Sequence, residues 1–296
     1  MHDFVGYREV ELTDHDLGLT FPMLVLYPTN TPGETASVGR FQLEVARDAP
    51  VKKGVFPLVL ISHGSGGTPL VYRTLAHYLA RNGFIVGLPE HPFNNRNDNS
   101  WEGTVQNLTA RPRHLRTAVD AFFGSPTFGR FVKPAAVGLI GHSMGGYTVL
   151  ALAGGLPTSF PWESADGQRR RIAVAPDSRV KAVVLLAPAT AWFRASGALQ
   201  GVGAPILMLH AEQDEYVPYE HAQIVLNGVP GKEQIEHRVV PNAGHFAFLS
   251  PFPEAMTSLA FPPSQDPPGF DRARFHDELN AAVTTFLKRE MESQPG

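Results

Sequence analysis

Short, largely apolar runs alternate along this chain with longer segments in which apolar residues recur every three or four positions. Residues 55–61, 84–88, 135–140, 180–186 and 205–209 are the short runs, and they have the pattern of strands covered on both faces. Residues 235–240 supply a last, more polar strand. Between them Tyr72, Leu75, Ala76 and Leu79 fall at helical spacing and stop at Asn82-Gly83. Leu115, Ala118, Val119, Phe122 and Phe123 form a second stripe, and residues 147–153 read as a further helix. Phe275, Leu279, Ala282, Val283, Phe286 and Leu287 form the final stripe. Residues 7–12 and 21–27 predict two early strands, antiparallel and at a sheet edge. Residues 29–54 are polar and rich in Gly and Pro, and predict an irregular excursion.

Strands and helices in alternation predict an α/β protein with a mostly parallel central sheet and helices on both faces. The whole chain, 1–296, reads as one domain. Residues 155–178 are a polar insert, too short for a domain of its own and long enough to lie over a site as a lid. Residues 291–296 read as a disordered tail.

Composition narrows the function classes. With 43% hydrophobic and 18% charged residues, 296 residues can bury a sizeable core. A net charge of −3 with no long basic run points away from nucleic acid. The triplet Arg169-Arg170-Arg171 reads as a solvated loop. No apolar run is long enough to span a membrane. The N-terminal residues lack the basic and apolar stretches of a secretion signal, so a cytoplasmic location is expected, although a chain with its signal removed would read the same way. The absence of cysteine excludes disulfides, thiolate nucleophiles and zinc–sulfur sites. There is no His-Glu-x-x-His spacing either, and neither a metal nor a cofactor is expected.

The chemistry centres on Gly141-His142-Ser143-Met144-Gly145, a G-x-S-x-G element between an apolar strand and a helix. So sharp a turn puts Ser143 in a sparsely populated backbone conformation. Glycines at 141 and 145 remove side chains that would clash, and Gly146 lets the helix lie near the sheet. Ligands in such sheets bind at the carboxyl ends of the strands. Asp214 follows the strand at 205–209, and His245 follows the strand at 235–240 on a Gly-containing turn. Ser143, Asp214 and His245 stand in the chain order this kind of nucleophile requires. A serine needs an imidazole to take its proton, and the imidazole needs an acid to fix its tautomer. Glu212 and Glu215 are competing acids, less well placed in the loop. His63-Gly64-Ser65-Gly66-Gly67, after the first central strand, is a candidate oxyanion loop, with the Ser65 N–H acting beside that of Met144. His63 reads as a buried residue that holds this loop. Trp192, Phe193 and Phe246 are the expected substrate-pocket residues, and each could instead pack the core. The loop at 91–97 could line the mouth or cap a helix.

The stretches 54–64, 141–146, 211–214 and 244–246, with Tyr27-Pro28 before them, resemble the α/β-hydrolase superfamily of serine esterases. Within it they are similar to the dienelactone-hydrolase-like and platelet-activating-factor-acetylhydrolase-like subgroup. That resemblance runs from about Tyr7 to Leu287. It implies a carboxylic ester hydrolase acting on a small-molecule ester through an acyl-enzyme. Two departures stand against a narrower placement. Dienelactone hydrolases use a cysteine nucleophile, and in the acetylhydrolases the acid follows the strand directly after the nucleophile's unit. Here that position reads Leu185-Leu186-Ala187-Pro188-Ala189, with no acid. The later acid is similar to that of cutinase-like and polyester-hydrolysing relatives. Amide, lactone or thioester hydrolysis would use the same triad, and a non-catalytic binding protein on this fold is the alternative from another class.

Overall fold

The computed structural model describes residues 4–292. Ten strands form one sheet. They are β1 (Phe4–Asp14), β2 (Leu19–Thr29), β3 (Glu34–Val38), β4 (Phe41–Arg47), β5 (Phe56–Ser62), β6 (Ile85–Pro89), β7 (Val132–His142), β8 (Val180–Leu186), β9 (Ile206–Ala211) and β10 (Ile235–Val240). Their order across the sheet is β10-β9-β8-β7-β5-β6-β2-β1-β4-β3. The six strands from β10 to β6 are mutually parallel, whereas β2 runs antiparallel to β6 and to β1.

Successive side chains of a strand point to opposite faces, so each continuous apolar run feeds two cores. Val59, Ile61, Val86 and Leu88 pack on one face beneath Leu75 and Leu79 of α1 (Arg73–Arg81) and Leu279, Val283 and Phe286 of α5 (Arg272–Glu292). Leu58, Leu60 and Ile85 face the other way. They meet Leu115, Val119 and Phe122 of α2 (Val105–Gly124), Val149 of α3 (Met144–Leu152) and Val225 of α4 (Glu220–Gly228). This is the α/β-hydrolase arrangement, a mostly parallel sheet between two helix layers.

Three expectations are corrected. Residues 29–54 are not wholly irregular: Phe41, Leu43 and Val45 alternate with polar residues, and β3 and β4 pair as a hairpin turning at Gly39, whose φ is +57°. β1 is therefore not the edge, because Gly6 and Tyr7 pair with Ala46 and Arg47 of β4. The final helix extends through Met291, which is fully buried, so the expected tail does not begin there; residues 293–296 lie outside the described residues.

The second helix is also longer than its stripe. It starts at Thr104, whose hydroxyl accepts the Asn107 N–H, and continues through Pro112. A proline has no N–H to give the carbonyl four residues earlier. That carbonyl, Leu108 O, instead accepts the hydroxyl of the fully buried Tyr147 in α3 at 2.9 Å. The helix break is thereby turned into a tie between α2 and the helix that follows Ser143.

Candidate active site

Ser143 sits at the tip of the turn between β7 and α3 with φ 53° and ψ −121°. Close approach of neighbouring backbone explains the residues around it. A Cβ on Gly141 would lie 2.2 Å from Gly145 O, and one on Gly145 would lie 2.0 Å from Ser62 O. A Cβ on Gly146 would lie 2.5 Å from the Pro188 side chain. The turn is clamped by the Ser143 N–H to Leu186 O at 3.0 Å, and by Gly146 and Ala189 N–H groups donating to Ser143 O. As the first residue of α3, Met144 has an N–H with no helical carbonyl to receive it.

Asp214 follows β9, and both its oxygens are engaged. Oδ1 accepts the N–H groups of Tyr216 and Val217 at 2.9 and 2.8 Å, and Oδ2 accepts His245 Nδ1–H at 2.8 Å. Burial raises the Asp214 pKa, but the His245 hydrogen bond and the two backbone donors outweigh it and hold the carboxyl below its usual range. Glu212 points elsewhere, accepting the Asn242 N–H at 2.7 Å. With Nδ1 donating to Asp214, the other nitrogen of neutral His245 keeps its lone pair.

The loop after β5 is held from below. Gly67 N–H closes a turn on Gly64 O, and Gly66 takes φ +59° in it, which leaves Ser65 at the tip. His63 is fully buried: its Nε2 accepts the His91 N–H, so its Nδ1–H donates to Gly64 O at 2.8 Å. Beneath lies Arg111, also fully buried. It donates to Thr148 Oγ1 at 2.9 Å, Asn94 Oδ1 at 2.6 Å, Ser62 Oγ at 3.2 Å and the His63 carbonyl. Burial pushes its pKa down to about 9. The asparagine loop joins the same network, because Asn94 Nδ2 donates to Ser65 Oγ, which in turn donates to Glu102.

Ser143, His245, Ser65 and Met144 all line one cavity of about 620 Å³. Its walls are aromatic: Phe160, Trp162, Trp192, Tyr216, Phe246 and Phe261. Trp192 and Phe246 are therefore cavity-lining residues. Phe193 does not; it is buried against Tyr147, with ring centroids 5.6 Å apart, because the tight turn Ala191–Phe193 sends adjacent side chains to different sides. The segment 155–178 contributes Phe160, Trp162 and Glu163 to the cavity lining. Three charged residues, Arg96, Glu102 and Glu163, also line the cavity. The Glu163 carboxylate is satisfied by Trp192 Nε1–H and the Phe160 N–H. Tyr216, Phe160, Phe261 and Arg111 carry no motif, and only folding brings them to the site.

Among the described residues, no group of three or more His, Asp or Glu side chains is placed to hold a metal ion, and no helix is long and apolar enough to cross a membrane.

Burial of so many imidazoles has a consequence for stability. Desolvation, aided by the Arg111 charge, lowers the His63 and His114 pKa values to about 3 and that of His91 well below 6.5. Burial likewise lowers His142 to about 3 and His276 to about 4. The unfolded chain binds these protons near pH 6.5 and the folded chain does not, so stability falls as pH drops below about 6.5. Each group costs up to about 1.4 kcal/mol per pH unit, which makes roughly 7 kcal/mol an upper bound for all five at pH 5.5. That is comparable to a whole folding free energy. The expected result is a urea midpoint that is flat from pH 7 to 9 and drops steeply below 6. An unchanged midpoint at pH 4.5 would contradict it.

The fold defines the class, an α/β-hydrolase-fold protein with a serine at the tip of the turn between β7 and α3. Comparison with known proteins bears on the same point. A model of the alpha/beta hydrolase family matches residues 58–200, just under half of the chain, a span that includes Ser65 and Ser143 and ends before Asp214 and His245. A solved structure of a ferulic acid esterase from Streptomyces cinnamoneus is similar with a TM-score of 0.73 at 18% sequence identity, over 100% of this chain and 92% of that one. At that identity the likeness is one of fold. No curated protein matches the chain.

Proposed function

We propose that the protein is a serine hydrolase that cleaves carboxylic esters through an acyl-enzyme, with Ser143 as nucleophile, His245 as base and Asp214 as its orienting acid. The observation that carries this reading is the 2.8 Å Asp214–His245 hydrogen bond, beside a serine at positive φ in one shared cavity. Asp214 fixes the tautomer in which His245 Nε2 can accept a proton. Ser143 Oγ attacks the ester carbonyl as that proton leaves. The oxygen of the tetrahedral intermediate takes hydrogen bonds from the Ser65 and Met144 N–H groups. His245 then protonates the departing alkoxide, and water activated by the same nitrogen releases the acid.

The cavity walls favour an ester with an aromatic, uncharged acyl or alkoxy group, since flat rings pack against Trp192, Phe160 and Phe246. The two carboxylates of the lining disfavour an anionic substrate. A ferulic acid esterase as structural neighbour accords with this reading. The subgroup resemblance extends to the nucleophile turn and the oxyanion loop. It does not extend to the acid's position, so the substrate is argued from the cavity.

A panel of matched esters tests the proposal. An aryl-acyl ester is expected to be turned over with kcat/KM at least about tenfold above that of a succinate half-ester of the same alcohol, the difference one packed ring is worth. Preference for the anionic acyl group would overturn the substrate class. Turnover of anilides or lactones with no ester hydrolysis would overturn the reaction.

A further inference from the structure

The residue before the nucleophile is joined to both halves of the site. His142 Nε2 lies 3.0 Å from the backbone oxygen of His245, and His142 Nδ1 lies 2.9 Å from Tyr72 Oη. Tyr72 Oη in turn accepts the Gly64 N–H at 3.3 Å. A carbonyl oxygen can only accept, so His142 must carry its proton on Nε2. Its Nδ1 is then an acceptor, and the Tyr72 hydroxyl must donate to it. Every proton in the chain is fixed: Gly64 N–H to Tyr72 Oη, Tyr72 O–H to His142 Nδ1, His142 Nε2–H to His245 O. Tyr72 and His142 are both nearly fully buried, which shields these bonds from solvent.

We propose that Tyr72 and His142 are positioning residues that lock the oxyanion loop and the base-bearing loop into one register across the nucleophile turn. The inference rests on the triad reading above. Gly64 directly precedes Ser65, and a Cβ on Gly64 would already lie 3.3 Å from Ser143 Cβ, so a small shift of this loop alters the reacting geometry. At the other end, the carbonyl held by His142 belongs to the base itself. The His142 and His245 rings lie 4.9 Å apart, so the imidazole that gains a proton in each cycle rests against one that stays neutral. Burial holds the His142 pKa at about 3, which keeps both of its nitrogens in their assigned roles throughout the working range. A protonated His142 would carry hydrogen on both nitrogens and leave the Tyr72 hydroxyl without the acceptor to which it donates.

The test is a double-mutant cycle of Tyr72→Phe and His142→Gln on the full chain, with Ser143→Ala as the independent control on the triad. Tyr72→Phe deletes only the middle hydroxyl. It is expected to lower kcat about ten- to a hundredfold with KM within about twofold, the signature of an interaction realised in the transition state. Affinity for an aryl trifluoromethyl ketone, whose addition to Ser143 creates the oxyanion, should fall by a similar factor. Affinity for the product acid should not move. Because the two residues form one relay, the double variant should be no more than about threefold worse than the poorer single variant. Two results would overturn the proposal while leaving the triad intact: a Tyr72→Phe kcat within twofold of wild type, or losses that multiply and track thermal stability. An active Ser143→Ala protein would instead remove the reading on which the proposal rests.

Discussion

Ser143→Ala is expected to yield a folded protein whose ester turnover has fallen by about 10⁶, to the level supported by binding and the oxyanion donors alone. The substitution keeps the Cβ and removes only Oγ. The strained backbone at φ 53° therefore sees no new clash, and the bonds that clamp the turn come from main-chain groups of Leu186, Gly146 and Ala189. Thermal stability should consequently stay close to that of wild type while kcat collapses. Wild-type activity in a Ser143→Ala protein with an unaltered melting curve would contradict the assignment of the nucleophile.

Asp214→Asn is expected to lower kcat by about 10⁴ with little loss of stability. The asparagine oxygen can continue to accept the Tyr216 and Val217 N–H groups, which keeps the loop in place. Its amide nitrogen then faces His245 Nδ1, which must accept rather than donate. The proton moves to Nε2, the atom on which the proposed mechanism needs a lone pair. Glu212→Gln serves as the contrast. Glu212 receives only the Asn242 N–H in this region, so its variant should keep kcat within about threefold of wild type, as a surface change does. The reverse pattern, a near-normal Asp214→Asn with a failed Glu212→Gln, would move the acid to Glu212.

Most of the sheet can be read from the sequence because the central parts of β5 to β9 are buried on both faces and so carry short, largely apolar runs. The β3–β4 hairpin could not be read as readily, since it sits at the edge and shows only a short alternation, Phe41, Leu43, Val45, among polar residues. Pro112 obscured the length of α2, because a proline reads as a helix boundary unless a partner for the orphaned carbonyl is known, and Tyr147 lies 35 residues further along. The three proposed catalytic residues were legible through strand-end placement and chain order. The cavity was not. Its walls come from Phe160, Tyr216 and Phe261, which belong to loops whose paths no periodicity encodes, and Phe193 differs from Trp192 only in the direction a tight turn gives it. Tyr72 reads as one member of a helical stripe, and its hydroxyl contact with His142 appears only once the start of α1 is laid beside the turn between β7 and α3. Arg111 carries no sequence signal of its own, whereas folding buries it completely beneath the loop after β5.

The measurement that bears most directly on the mechanism is peptide mapping by mass spectrometry after reaction with a fluorophosphonate, together with rapid quenching during turnover of an activated aryl ester. The proposed mechanism predicts one equivalent of phosphonyl adduct on the peptide bearing Ser143, and a transient acyl adduct on the same residue. Turnover of the ester with no covalent adduct at Ser143, or with the adduct on another residue, would contradict it.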